Sequence, residues 1–254
     1  MILKKLFCIG AIVATMASLP THADTLLGIY VGAQAWDMRT EGGFSDDGTN
    51  IDFNFDDETK GSFYLALEHP LPLVPNIKIQ RSDMTSDGGV SAVSSFTFDN
   101  QSFTANTSLT TGIDWVSTDF ILYYELFDND LLSFDLGVNS KHLDGNVFIQ
   151  DKGDPTTKGD LDFTGILPML YTRIALGVPF TGLGAYVEGS FLSVGDHKVT
   201  DYQAVVTYSL LDNILIDTTL QLGFRSMKVE LEDLDNLYSD LKFSGVFAGI
   251  EVHF

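Results

Sequence analysis

Residues 245–254 close the chain with the sequence GVFAGIEVHF, in which large apolar side chains alternate with small or polar ones. One face of an extended strand would carry Val246, Ala248, Ile250, Val252 and Phe254. The other face would carry Gly245, Phe247, Gly249, Glu251 and His253. A water-soluble protein gains little by ending on a large exposed aromatic residue. The alternation therefore predicts the last strand of a closed barrel, with one face in lipid and the other in a wet lumen.

Residues 1–23 have the pattern of a secretory signal peptide. Two lysines precede an apolar stretch over residues 6–19, and the segment ends on the small residue Ala23. We expect cleavage before Asp24, because the apolar stretch is shorter than the roughly 20 residues that a membrane anchor needs. Cys8 is the only cysteine and lies inside this stretch, so a lipoprotein anchor is not expected and disulfides contribute nothing to the mature chain.

Composition narrows the class of protein. The formal net charge is −21, and removing residues 1–23 takes away two lysines and no acidic residue, which leaves 12 basic against 35 acidic residues, or −23. Such a charge argues against nucleic acid as a partner, since phosphate binding needs Lys and Arg, and it suits attraction of divalent cations. Mean hydropathy is nevertheless positive and 19 residues are Phe. This combination favours β structure with an apolar outer face.

Alternation with the period of a β-strand recurs in ten stretches of the chain. They are residues 27–36, 62–68, 77–80, 115–126, 132–141, 166–178, 183–193, 203–210, 214–225 and 245–254. The connections alternate between short turns (68–76, 127–130, 179–182 and 211–213) and long loops (38–60, 83–112, 144–160, 195–201 and 230–240).

This arrangement predicts one domain over residues 24–254, an all-β, transmembrane antiparallel up-and-down β-barrel of about ten strands. Counts of eight or twelve remain alternatives, because the longest loops are themselves β-prone and can extend as paired ribbons. Both termini are expected in the periplasm, so that every long loop lies outside a bacterial outer membrane.

The inward face of these strands carries the candidate functional residues. They are Glu68, Lys78, Asp119, Glu125, Asp135, Lys141, Arg173, Glu188, Asp217, Arg225 and Glu251, with His253 at the rim. One interpretation is a crosslinked polar plug, in which Arg173 and Arg225 pair with acids such as Glu188, Asp217 or Glu125. The other is a narrow water-filled pore whose surplus acids prefer cations.

Several motifs suggest a family. Residues 68–76 (EHPLPLVPN) and 123–129 (YYELFDN), with Leu136-Gly137 and residues 141–145 (KHLDG), resemble segments of an uncharacterised family of small outer-membrane β-barrel proteins of marine Gram-negative bacteria. The resemblance covers residues 26–254 and implies a barrel in the outer membrane but no activity. Phe254 likewise resembles the signal that the barrel-assembly machinery reads. The implied partners are outer-membrane lipid, lipopolysaccharide and that machinery.

Catalytic and metal sites are not expected. His142 with Asp144, and His197 with Asp196, lie near serines in the sequence, but nothing reproduces a hydrolase motif. An acidic stretch over residues 46–52 has calcium-loop spacing but no closing Glu at the right distance, which leaves weak bridging of divalent cations to lipopolysaccharide. The sequence thus predicts a structural protein or a narrow cation-preferring pore without cofactors. A surface receptor or adhesin, or an outer-leaflet hydrolase, is the alternative.

Overall fold

The computed structural model describes residues 27–48, 51–92, 94–129, 131–195, 197–211, 216–234 and 237–254. The predicted signal peptide, residues 1–23, and its cleavage site before Asp24 lie outside the described residues. Within this described part, no helix is long and apolar enough to cross a bilayer.

The regular structure of the described residues consists of fourteen β-strands. They are β1 (Gly28–Ser45), β2 (Asn54–Phe55), β3 (Glu58–Glu68), β4 (Asn76–Asp83), β5 (Ser86–Ser91), β6 (Phe96–Phe98), β7 (Gln101–Phe103), β8 (Ser108–Asp128), β9 (Leu132–Asp151), β10 (Lys158–Val178), β11 (Leu183–Val194), β12 (His197–Leu211), β13 (Asp217–Leu234) and β14 (Leu237–His253).

Ten of these strands (β1, β3, β4 and β8 to β14) form one closed antiparallel barrel. β1 pairs with both β3 and β14, which closes the ring. This seam reaches the end of the chain: the Phe254 amide donates to the Ile29 carbonyl at 3.0 Å, and the Ile29 amide donates to the Phe254 carbonyl at 3.2 Å. The prediction of an all-β antiparallel barrel with ten strands is therefore confirmed.

The two ends of the barrel differ. The start of β1, the end of β14 and the short connections, such as residues 179–182 between β10 and β11, lie at one end, which we call the short-turn end. At the opposite end, which we call the long-loop end, the barrel strands extend further. The small hairpin of β6 and β7 also lies there. β5 continues the line of β4 along β8, because the Met84 amide donates to the Trp115 carbonyl at 2.9 Å.

A belt of exposed apolar side chains surrounds the part of the barrel next to the short-turn end. Every barrel strand contributes at least one aliphatic side chain that is more than a third exposed: Val31, Leu65, Ile79, Leu122, Val138, Leu170, Val187, Val206, Leu222 and Ile250. Exposure of this much apolar surface on all sides is costly in water and favourable in hydrocarbon. The belt therefore has the character of a lipid-facing surface.

Beyond the belt the alternation of apolar and polar residues inverts. Met38, Leu109 and Phe243 point inward and are fully buried, whereas Arg39 and Lys242 lie on the outer surface. At this end the barrel therefore resembles a water-soluble β-barrel, with its apolar side chains inside and its charges outside.

The predicted long loops are shorter than expected. Residues 38–60, 83–112, 144–160, 195–201 and 230–240 all contain strand residues, and β9, for example, runs to Asp151 instead of residue 141. The predicted strand ends were wrong at the long-loop end. They were placed at the residues where the outer face of the strands stops being apolar. Strand pairing continues past that point, since the backbone is still paired and the inward face is still buried.

Candidate functional site

The interior of the barrel is the candidate functional site, and its charged side chains come together in three groups. The group nearest the long-loop end contains Asp119, Lys141 and Arg225. A middle group contains Lys78, Asp135, Arg173 and Glu188. The remaining predicted residues, Glu68, Glu125, Asp217 and Glu251, lie toward the short-turn end, as does His253. The structure thus brings the sequence-predicted residues to one lumen.

Lys141 is the centre of the first group and is fully buried. Its Nζ lies 2.7 Å from Asp119 Oδ1 and 2.9 Å from Asp201 Oδ2, and it donates to Ser117 Oγ at 3.2 Å. Arg225 binds the same Asp201 through two nitrogens, Nε to Oδ1 at 3.0 Å and Nη2 to Oδ2 at 2.7 Å. Such paired contacts fix the geometry of both side chains. Because β8, β9, β12 and β13 supply these residues, the group ties separate parts of the wall together.

Glu188 is the centre of the middle group. It accepts hydrogen bonds from Lys78 at 2.7 Å and 3.0 Å, from Tyr171 at 3.1 Å and from Gln203 at 2.6 Å. Lys78 is on β4 and Glu188 is on β11, which face each other across the barrel. The ion pair therefore spans the lumen.

Arg173 lies between Glu188 and Asp135 and links the two within the middle group. Its Nη1 lies 3.5 Å from Asp135 Oδ2 and its Nε lies 3.9 Å from Glu188 Oε2. The guanidinium also lies over the ring of Tyr186, 4.8 Å from the centroid. Both bases of the middle group are thus satisfied by protein carboxylates.

Tyrosines hold the carboxylates nearer the short-turn end. Tyr123 donates to Glu68 at 2.6 Å, and Tyr64 donates to Glu251 at 2.5 Å. Asp217 lies 3.4 Å from Nδ1 of His253, whose ring stacks on another tyrosine of the rim.

An apolar plug fills the lumen above the charged groups, toward the long-loop end. Its largest fully buried side chains include Trp36, Trp115, Phe163 and Phe243. Trp115 is the common neighbour, with ring centroids 4.8 Å from Phe163 and 5.6 Å from Phe243. Arg225 marks the boundary of the plug, since its guanidinium lies 4.9 Å from the centre of the Trp36 ring.

The hairpin of β6 and β7 completes the plug. Phe98 and Phe103 point from it into the buried cluster and are at most 1% exposed, and the Phe98 ring lies 5.6 Å from that of Phe44. Hydrogen bonds of Asp99 fix the position of the hairpin. The Asp99 amide donates to Asp46 at 2.7 Å, and the Asp99 carboxylate accepts from the Asp160 amide at 3.1 Å. The long-loop end of the lumen is therefore covered.

Little open space remains among the charged groups. A cavity between the first and middle groups has a volume of about 30 Å³, which accommodates two or three water molecules at roughly 10–15 Å³ each. The larger cavity, of about 210 Å³, lies on the short-turn side of Lys78 and Glu188. A continuous hydrated path for ions needs more room than the first cavity provides.

One central residue was missed by the sequence analysis, namely Asp201. It was assigned to a long loop, and Arg225 was expected to pair with Asp217, Glu188 or Glu125, but the ion pair is with Asp201. The signal was present, since Asp201 continues the inward alternation of Gln203 on β12. The expected pairing of Arg173 with Glu188 is found, although Asp135 lies closer.

The histidines considered as catalytic candidates have other neighbours. His142 lies on the outer face, where Nε2 is 3.3 Å from Thr164 Oγ1. His197 Nδ1 accepts from the Glu232 amide at 3.4 Å, and Asp196 lies outside the described residues. Within the described part of the chain, no three His, Cys, Asp or Glu side chains are grouped as metal ligands. The bridging of divalent cations by acidic loops stays a prediction.

No family model matches the chain, and no curated protein matches it. The solved structures that it resembles are outer-membrane β-barrel proteins. The transport unit of the autotransporter AIDA-I from Escherichia coli is 8% identical, with 94% of this chain and 93% of that chain covered and a TM-score of 0.43. A Pseudomonas aeruginosa FadL homologue is 9% identical (90% and 89% covered, TM-score 0.26), and the CymD monoaromatic hydrocarbon channel is 10% identical (89% and 87%, TM-score 0.20). With these identities and TM-scores, the likenesses say nothing about what this chain does.

Proposed function

We propose that this protein is a structural barrel of the bacterial outer membrane whose lumen does not conduct. The observation that carries the proposal is the Lys78–Glu188 ion pair, which joins opposite walls at 2.7 Å beneath the apolar plug. An ion crossing the lumen would have to separate this pair and then pass through a region lined mainly by buried apolar side chains. Both steps are unfavourable in a narrow, poorly hydrated interior.

The outer surface supports the proposed placement in the membrane. The apolar belt next to the short-turn end suits the hydrocarbon layer, and the charged surface of the long-loop end suits water and lipopolysaccharide. We therefore assign the short-turn end to the periplasm. The proposal includes assembly through the machinery that reads Phe254, weak bridging of divalent cations by the acidic outer segments, and membership of the marine family that the motifs suggest.

The orientation is tested with single cysteines, because the chain has no cysteine after Cys8. Thr156 is exposed at the long-loop end, and Leu73 is 92% exposed in the turn between β3 and β4. On intact cells, a membrane-impermeant maleimide should label the Thr156→Cys variant and should label Leu73→Cys only after the outer membrane is permeabilised. The reverse pattern would contradict the assigned orientation.

The closed lumen is tested with liposomes that contain the purified protein. We expect no swelling in an isosmotic solution of a small sugar or of an amino acid salt, whereas a general porin in parallel liposomes should give rapid swelling. Swelling in the salt of a cationic amino acid, without swelling in the sugar, would instead support the narrow cation-preferring pore. In that case Asp119→Asn and Glu188→Gln should change its selectivity, with exposed Glu232→Gln as the control.

A further inference from the structure

The cavity at the short-turn end is a separate feature of the lumen, and a closed plug does not explain it. Its volume is about 210 Å³, and it is open on the periplasmic side in the proposed orientation. Tyrosines and carboxylates from seven barrel strands line it, among them Tyr64, Tyr123, Glu68, Glu125 and Asp135. A cavity with convergent polar groups and aromatic walls has the general character of a small-molecule site.

Charge in this cavity is unbalanced. Its lining includes six acids (Glu68, Glu125, Asp128, Asp135, Glu188 and Glu251) but only two lysine or arginine side chains, Lys78 and Arg173. Both bases are already engaged by Glu188 and Asp135. Within the described part of the chain, no lysine or arginine forms an ion pair with Glu68, Glu125 or Glu251. The cavity therefore has a strongly negative potential that favours a cation.

Two features show where a cation would gain most. Glu68 on β3 and Glu125 on β8 both line the cavity, and neither forms an ion pair with a lysine or arginine in the described residues. Asp135 is only 2% exposed, and its Oδ1 has no hydrogen-bond partner, although Glu125 lies directly opposite it on the neighbouring strand. A buried acceptor without a donor is unfavourable. A ligand that brings several N–H donors would satisfy all three carboxyl groups.

The walls favour an organic cation over a metal ion. Tyrosine faces line the cavity, and the protein already places its own cations on two of them, with Lys78 Nζ 4.7 Å from the Tyr64 ring centre and Arg173 4.8 Å from that of Tyr186. Stacking of this kind stabilises ammonium and guanidinium groups. The carboxylates, in contrast, are not grouped as metal ligands in the described residues.

We propose that this cavity binds the primary ammonium group of an aliphatic amine from the periplasmic side, with Glu68, Glu125 and Asp135 as acceptors and the tyrosines as its walls. An ammonium group supplies three donors on a flexible apolar stem, which matches three acceptors beside aromatic faces.

The proposal is tested by titration calorimetry of the full barrel in detergent, with spermidine as the probe. We expect saturable binding of one molecule per barrel. The Glu68→Gln/Glu125→Gln double variant should weaken this binding at least tenfold, and the Glu232→Gln variant, which removes one exposed charge at the long-loop end, should not change it. Retention of the barrel is checked by heat-modifiable migration in gels. If the double variant does not fold, Glu125→Gln alone serves, with an expected loss of several-fold.

A steric variant separates the cavity from general attraction of cations. Ser133→Trp keeps every carboxylate but places a large side chain in the cavity that Ser133 lines, and it should abolish spermidine binding. Unchanged binding in this variant, or no saturable binding to the wild type, would overturn the proposal. Saturable binding of Mg²⁺ without binding of spermidine would also overturn it, in favour of a metal site.

The source of the ammonium group is distinguished by a second probe. A peptide of three lysines, blocked at both ends, presents the same group on a protein chain. Binding as tight as that of spermidine would support recognition of a basic segment of a periplasmic protein. Binding of spermidine alone would support recognition of a free polyamine.

Discussion

Lys141 offers the sharpest test of the energetics inside the lumen. It is fully buried, and its Nζ contacts Asp119 at 2.7 Å, Asp201 at 2.9 Å and Ser117 at 3.2 Å. In a Lys141→Met variant the two aspartates are affected differently. Asp201 keeps its two hydrogen bonds to Arg225, whereas Asp119 keeps no cation and is left with neutral donors such as Asn139.

The expected cost is that of one uncompensated buried charge. Removing one partner of a buried pair destabilises a protein by about 3–5 kcal/mol, which corresponds to a roughly 100- to 4,000-fold change in the unfolding equilibrium at about 1.4 kcal/mol for each factor of ten. Reversible denaturant unfolding in lipid vesicles, followed by heat-modifiable migration, measures this free energy of unfolding.

The control is the double variant Lys141→Met/Asp119→Asn, which removes the charge left behind. Since a buried ion pair can be replaced by neutral groups at little net cost, it should lie within about 1–2 kcal/mol of the wild type. A single variant that costs less than about 1 kcal/mol, or a double variant as unstable as the single one, would refute the assignment of Lys141 to a buried network.

Three further changes test other parts of the structure. Leu222→Arg places a charge on the apolar belt, where Leu222 is 65% exposed, and should cost roughly 2–4 kcal/mol in vesicles; a stability equal to that of the wild type would argue against a lipid-facing belt. Phe243→Ala opens a cavity in the fully buried plug and should cost about 3–5 kcal/mol, measured by the same unfolding assay, whereas less than about 1 kcal/mol would mean that the plug is loosely packed. Phe254→Ala should slow assembly into the outer membrane in a pulse-chase experiment while leaving the refolded barrel stable, because only backbone atoms of Phe254 close the seam; assembly at the wild-type rate would contradict its role as a signal.

The barrel could be predicted from sequence because the belt imposes a simple rule. A strand such as residues 245–254 must alternate between lipid and lumen, and this pattern repeats in all ten barrel strands. The same rule located inward charges as far apart in sequence as Lys78 and Glu188, which the barrel then brings together. Alternation therefore predicts both the fold and the list of lumen residues.

Pairing and closure could not be predicted in the same way. Which acid meets Arg225 depends on strand register and tilt, and the partner proved to be Asp201, which lies beyond the predicted strand end. The plug was missed for a related reason. Met38 and Phe243 alternate in the same inward phase as the polar residues below them, but the sequence does not mark where the belt ends and water begins on the outer face. Contacts of the β6–β7 hairpin are likewise tertiary, and no local pattern predicts them.

The most direct test of the closed lumen is the single-channel conductance of the barrel, purified from outer membranes, in a planar bilayer with a salt gradient. We predict a silent bilayer over the usual range of potentials, from protein whose folding is shown by heat-modifiable migration, because the Lys78–Glu188 pair and the plug above it fill the lumen. Steady conductance steps with a cation-selective reversal potential would contradict this account and establish a pore.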